Sequence, residues 1–370
     1  MDHEVAEAEA YFADMSLSEF ASGALFAVGL FASGVYSPNV IRSQMDFSSN
    51  VMIMTMMGAS AVSAIVFDVL DRLKLVEKKP QAPSNLGYLP YDGNILGGIL
   101  LGIGMAATGA CPGTSLVQAG VGIANGVFVV IGGVMGAMTF LKLRSALEQA
   151  QPDLEDATTL HEQEKSTSNT KSERPLDIAT ALGIPPLVVL LLWIPMCLAV
   201  MRLAFAKDHT VRDIPKSALV SPAYGGLLIG AAQLATMLLT GHAIGSSGGY
   251  KDFARWIDRN IVSNSCGMES KEALLTPSVI FSAGVVCSAA ALDQIMHGVG
   301  GSGPEVQWLP SPSSAAQAIA GGWAMILGSR IAGGCTSGHG ISGLAKFSLA
   351  SLVTTASLFT AGIATAHIMG

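Results

Sequence analysis

The sequence predicts an all-α, polytopic transmembrane protein with two pseudo-symmetric, inverted repeats whose helices break or re-enter at Cys111 and Cys335. Three observations predict it. Half of the 370 residues are hydrophobic and 13% are Asp, Glu, Lys or Arg, where a soluble domain carries about 25% charged residues. Apolar stretches long enough to cross a bilayer recur along the whole chain. A glycine-punctuated segment that ends in a cysteine returns at a fixed offset. Mean hydropathy is +0.50 and glycine contributes 42 residues with no collagen period. Small residues let helix backbones approach one another in lipid.

The elements follow in order. An acidic segment, 1–19, has no Lys or Arg and so lacks the basic start of a secretory signal. Apolar runs then occupy 20–36, 51–70, 95–110, 126–143, 178–205, 224–240, 277–295, 314–332 and 347–368. Each suits a helix across a hydrocarbon layer of about 30 Å, and none alternates with the period of two that a β-barrel strand needs. The first repeat is 20–145. A charged, Ser/Thr-rich stretch, 146–177, reads as a polar flexible loop. A linking span and loop cover 178–221, and the second repeat is 222–370. Around 251–271, Phe253, Trp256, Ile257 and Ile261 fall at helical spacing, which suits a short interfacial helix. Arg72, Lys74, Lys78 and Lys79 favour the cytoplasmic side for their loop, while Lys207, Arg212 and Lys216 pull the other way. The chain therefore reads as a multi-pass integral protein of the plasma (inner) membrane, with the lipid bilayer as its first partner.

The offset is 224 residues. It carries Ile95, Gly97, Gly98, Gly104, Gly109 and Cys111 onto Ile319, Gly321, Gly322, Gly328, Gly333 and Cys335. Both copies run from a Gly-rich helix into a Gly-small-Cys break. Gly109, Pro112 and Gly113 in one, and Gly333, Gly334 and Gly338 in the other, disfavour continuation of the helix. Free backbone groups inside a bilayer are tolerated only where protein or a water-filled cavity satisfies them. A helix restarting near Thr114 or Ser337 presents unpaired N–H groups and a positive dipole end, which favour an anion. A thiol is soft and polarisable, with a weak S–H donor, so Cys111 and Cys335 suit a sulfur-bearing anion. Cys197, Cys266 and Cys287 read as residues without a role.

GACPGTSLVQ at 109–118 and GGCTSGHGISG at 333–343 resemble the cysteine motifs of the YeeE/YedE sulfur-transport family. The resemblance covers most of the chain, excluding the acidic start and the polar loop. It implies an integral membrane permease, not an enzyme, that takes up thiosulfate or a similar small sulfur-containing anion by weak S–H contacts. That role carries to Cys111 and Cys335. It also implies a further cysteine early in the first repeat. The stretch 31–37, FASGVYS, has none, so Ser33, Ser37 or His242 would make that contact.

The expected substrate-binding set is Cys111, Cys335, Gly109, Gly113, Thr114, Gly334, Thr336, Ser337 and His339, with His242, Arg330 and Gln118 as further candidates. Arg330 reads either as a counter-charge for anions or as one half of an ion pair with Asp293 or Asp68. The methionines at 52, 54, 56 and 57 read as core. The balance of 20 basic to 27 acidic residues gives no footprint for nucleic acid. There is no P-loop or His-Glu-x-x-His motif, no Cys-x-x-Cys pair and no metal-ligand spacing, so no cofactor and no metal are expected. A soluble sulfurtransferase or sulfur-carrier protein is a possible accessory partner. The alternative activity is a membrane-embedded sulfurtransferase or redox protein using the same two cysteines covalently.

Overall fold

A computed structural model describes residues 2–150, 177–207, 218–262, 274–298 and 312–369. Most of the polar loop, Cys266, Arg212, Lys216 and the end of the amphipathic stretch lie outside the described residues.

The described chain is helical. Its first part comprises α1 (Asp2–Ala32), the short α2 (Pro38–Met45), α3 (Val51–Arg72), α4 (Asp92–Thr108), the short α5 (Pro112–Val121) and α6 (Ala124–Ala150). The middle holds α7 (Ile178–Leu182) and α8 (Pro186–Lys207). Then come α9 (Pro222–Thr240), the short α10 (Gly248–Ile257), α11 (Pro277–Gly298), α12 (Pro312–Ile331), a π-helical turn (Ser337–Gly343) and α13 (Leu349–Met369). The order long, short, long, long, short, long thus occurs before and after the middle segment. Among the described residues the one isolated β-bridge pairs Asp177 with Ser348.

Among the described residues, eight helical segments are long and apolar enough to cross a membrane. They carry eight of the nine expected spans, so the chain is an all-α, multi-pass integral membrane protein. The ninth, α12, is not among them. It is wedged between α4 and α6, where its Ser329 is fully buried, so it can carry polar residues that a lipid-facing helix could not. Large apolar side chains face outward instead, among them Leu191, Leu192, Leu203 and Leu238, as a hydrocarbon solvent requires.

Three expected boundaries moved. The acidic start belongs to the first turns of α1. The expected span 178–205 is interrupted at Gly183, which adopts φ +65° just before Pro185 and Pro186; that break yields α7 and α8. The second restart, at Ser337, is π-helical rather than α-helical.

The central contact is the antiparallel crossing of α4 and α12. A Cβ on Gly97 would sit 2.5 Å from Gly328 O, and one on Gly328 would sit 2.5 Å from Gly97 O. A Cβ on Gly104 would likewise meet Gly321 O at 2.5 Å. Under the 224-residue offset these glycine pairs exchange partners, which is what a two-fold axis between like segments produces. The flanking contacts follow the same exchange: α6 packs on α12 and α13 on α4, while α1 packs on α11 and α9 on α3.

Candidate functional site

The two breaks start alike. Gly109 (φ +65°) ends α4, and Gly333 (φ +80°) follows α12; both adopt the left-handed backbone that glycine takes without strain. Each leaves carbonyls that no longer bond within a helix, and side chains from distant elements answer them. At the first break, Ala107 O accepts from Arg42 (3.2 Å) and Gln317 (3.0 Å), and Gly109 O accepts from Gln118 (3.0 Å). At the second, Ile331 O accepts from Ser84 (2.5 Å) and Gly333 O from Gln81 (2.9 Å). Ala332 O accepts from both Asn94 and His339, each at 3.1 Å. Inside a membrane an unanswered carbonyl is costly, so these polar residues are the condition for having the breaks.

Beyond the first break, Cys111 is the N-cap of α5. Its Sγ accepts from the Thr114 N–H at 3.4 Å and lies 3.3 Å from the Thr114 hydroxyl, while the Cys111 N–H donates back to Thr114 Oγ1 at 2.7 Å. This is a capping box with a thiol in the usual hydroxyl position. It fixes the sulfur at the positive end of the helix. Thr114→Val would strand the buried Cys111 N–H, so a loss of about 1–2 kcal/mol is expected. Thermal unfolding of the purified protein in detergent checks it.

Beyond the second break the Thr336 hydroxyl donates to Met105 Sδ of α4 at 3.2 Å, and the π-helical turn packs on α3 and α13. Cys335 is 1% exposed. Its Sγ lies 3.1 Å from Ser337 Oγ and 3.6 Å from Ser246 Oγ.

The segment from Ile244 to Tyr250 joins the two breaks. Ser246 Oγ, in contact with Cys335, lies only 3.3 Å from where a Cβ on Gly113 would sit. Tyr250 is buried, with its hydroxyl 2.8 Å from Ser115 Oγ and donating to Pro112 O at 3.2 Å. Among the described residues no cluster of His, Cys, Asp or Glu could hold a metal ion.

The sequence candidates therefore fall into groups. Cys111, Thr114 and Gly113 meet Cys335 and Ser337 across Ser246. Gly109, Gly334 and Thr336 shape the breaks, with Gly334 against the His339 ring. Gln118 and His339 are fully buried and spend their donors on structure. Gln118 Nε2 also donates to Tyr36 O at 2.8 Å, and His339 Nδ1 pairs with Ser351 Oγ at 3.0 Å. His339→Ala is expected to cost about 1–3 kcal/mol and to lower folded yield while leaving the transport KM of the surviving protein unchanged.

Arg330 donates to Ser247 Oγ at 3.1 Å, while Asp68 pairs with Arg72 and Asp293 lies beside His297. His242 is exposed just past the end of α9. Ser33 is buried, with its hydroxyl bonded to Leu30 O at 3.1 Å, and Ser37 caps α2. Sequence reasoning missed Ser246, Ser247 and Tyr250. Their one signal was the small, polar run Gly245-Ser246-Ser247-Gly248-Gly249 before a helix.

Comparison with known proteins finds transporters. The chain is 25% identical over 339 residues to the thiosulfate transporter TsuA of Spirochaeta thermophila, across 89% of this chain and 91% of that protein. It is 50% identical over 52 residues to a probable transporter from each of two strains of Xylella fastidiosa, across 14% of this chain and 38% of theirs. A family model described as sulphur transport matches residues 32–365. The chain belongs to the sulphur transport family, whose members are transporters rather than enzymes.

Proposed function

We propose that the protein imports a small sulfur-containing anion, thiosulfate, across the plasma membrane by a pathway that passes Cys111 and Cys335. The observation that carries this reading is Ser246, whose hydroxyl lies 3.6 Å from Cys335 Sγ at the second helix break and borders Gly113, two residues after Cys111, at the first. The α5 N-terminus favours the negative charge, and the soft sulfurs meet the terminal sulfur of the ligand without the deep well that a metal or a fixed ion pair would make. Conduction needs such weak successive contacts. Two inverted repeats, 20–145 and 222–370, generate the two breaks. The reciprocal glycine contacts of α4 and α12 support that origin. A soluble sulfurtransferase or sulfur-carrier protein would receive the anion on the inner side.

Proteoliposomes containing the purified protein test the reading. Thiosulfate labelled separately at its inner and outer sulfur should enter with both labels at equal rates. Entry of one label alone, or a persulfide on either cysteine, would establish sulfur transfer instead. No entry of either label would remove thiosulfate as the substrate.

A further inference from the structure

We propose that Gln233, Ser60 and Ser63 form a third polar station of the anion pathway, where one amide and two hydroxyls donate to the oxygen atoms of the passing ligand. The proposal rests on the transport reading above and adds ligand contacts to that same pathway. Gln233 lies on α9, is fully buried, and is tied to both segments that surround Cys335. Its Oε1 accepts from the Ser342 hydroxyl at 2.8 Å, in the π-helical turn that follows the thiol. It also accepts from the Ile244 N–H at 3.4 Å, two residues before Ser246. A backbone N–H can only donate, so this contact fixes which end of the amide is oxygen. The Nε2 end then carries two N–H donors and has no partner among the described residues.

The two serines lie on α3, on which α9 packs through Gly226 and Gly230. Both are fully buried. Met56, Ser60 and Ser63 share one face of α3, being four and three residues apart. Met56 Sδ lies 3.0 Å from where a Cβ on Gly340 would sit, so this face is turned toward the same π-helical turn that holds Ser342. A serine or threonine in a helix can bond the carbonyl one turn back, as Thr55 of α3 does to Val51 O at 3.0 Å. Ser60 and Ser63 do not, and neither hydroxyl has a partner among the described residues. Buried donors left unpaired are costly and call for a reason. A ligand in transit supplies one. A thiol is a weak donor and serves the sulfur end of a sulfur oxyanion better than its oxygens. Neutral N–H and O–H groups answer those oxygens without the deep well that would trap the ion. Water occupies the station between passages and is exchanged for the ligand's oxygens.

The test reads stability and transport on the same purified protein, with labelled thiosulfate as the substrate in proteoliposomes. Ser60→Ala and Ser63→Ala each remove a buried hydroxyl that no protein group answers. The melting temperature in detergent should therefore hold or rise, while the thiosulfate KM rises about threefold or more in each variant. A structural role would move the two readouts the other way. Gln233→Glu keeps the oxygen that accepts from Ser342 and Ile244 but replaces the amide donors by a carboxylate oxygen. Its KM should rise about tenfold or more, the range for a contact to a charged ligand. The serine variants decide the matter alone if the glutamate variant does not fold. An unchanged KM in both serine variants would overturn the proposal. So would a lowered melting temperature with KM unchanged, which would assign the hydroxyls to packing. Wild-type protein that carries no thiosulfate would instead sink the transport reading on which the proposal stands.

Discussion

Replacing Cys111 and Cys335 together by alanine is expected to bring thiosulfate uptake down to that of empty liposomes. Each single replacement should reduce the rate by about tenfold or more, the range for loss of a contact to a charged ligand. The protein should nevertheless fold. Removing the Cys335 sulfur leaves the Ser337 and Ser246 hydroxyls, which are close enough to the same point to bond each other or water. Removing the Cys111 sulfur leaves the return bond from its N–H to Thr114. The same substitution at Cys197, which is buried in α8, or at Cys287, which is exposed on α11, should leave uptake unchanged. Uptake normalised to folded protein, measured by size-exclusion chromatography, separates the two effects. If the double variant transports like wild type, the thiols are not part of the pathway.

The largest expected effect on folding comes from the crossing of α4 and α12. Gly104→Leu would drive a side chain into Gly321 O and the backbone of Met325, and Gly97→Leu would drive one into Ala332 and Gly328 O. These obstacles are backbone atoms on a packed helix and cannot rotate away. Ordinary overpacking costs about 1–3 kcal/mol; here the helices must separate, which also uncovers the polar caps of the second break. Loss of nearly all folded protein in detergent is expected for either variant. Gly298→Ala is the control, because nothing lies within 4 Å of its Cβ position. Folded yields of Gly104→Leu and Gly298→Ala that match would mean that the crossing is not essential.

The same glycines explain what the sequence made legible. Gly97 and Gly104 recur at the 224-residue offset as Gly321 and Gly328, and each meets the counterpart of the other, Gly97 against Gly328 and Gly104 against Gly321, so a close backbone approach accounts for all four glycines. The lipid-facing helices were visible because apolar solvent demands long apolar runs. The helix α12 was legible as a helix, and its enclosure between α4 and α6 explains why it is less apolar than its neighbours. Cys111 and Cys335 were legible because glycine and proline punctuate the helices around them.

The partners of those cysteines were less visible. Ser246 reaches Cys335 from a loop 89 residues away, and Tyr250 reaches Pro112, next to Cys111, from a short helix 138 residues away. No periodicity marks a side chain on such a loop. The caps of the second break were hidden for the same reason, since Gln81 and Gly333 are 252 residues apart. His339 looked like a ligand because it follows a cysteine by one helical turn. Its ring nitrogens lie 3.0 Å from Ser351 Oγ and 3.1 Å from Ala332 O, contacts to distant and local chain that the spacing does not show.

The central claim is that the two helix breaks deliver their sulfurs to one shared passage. A variant with Cys197, Cys266 and Cys287 changed to alanine retains only Cys111 and Cys335. Treated with a short bifunctional thiol reagent such as dibromobimane, it should yield a single cross-linked peptide pair containing both residues by mass spectrometry. Uptake should stop with the same time course, and thiosulfate should slow both. Separate labelling of the two thiols with no cross-link, and uptake that survives it, would contradict the account.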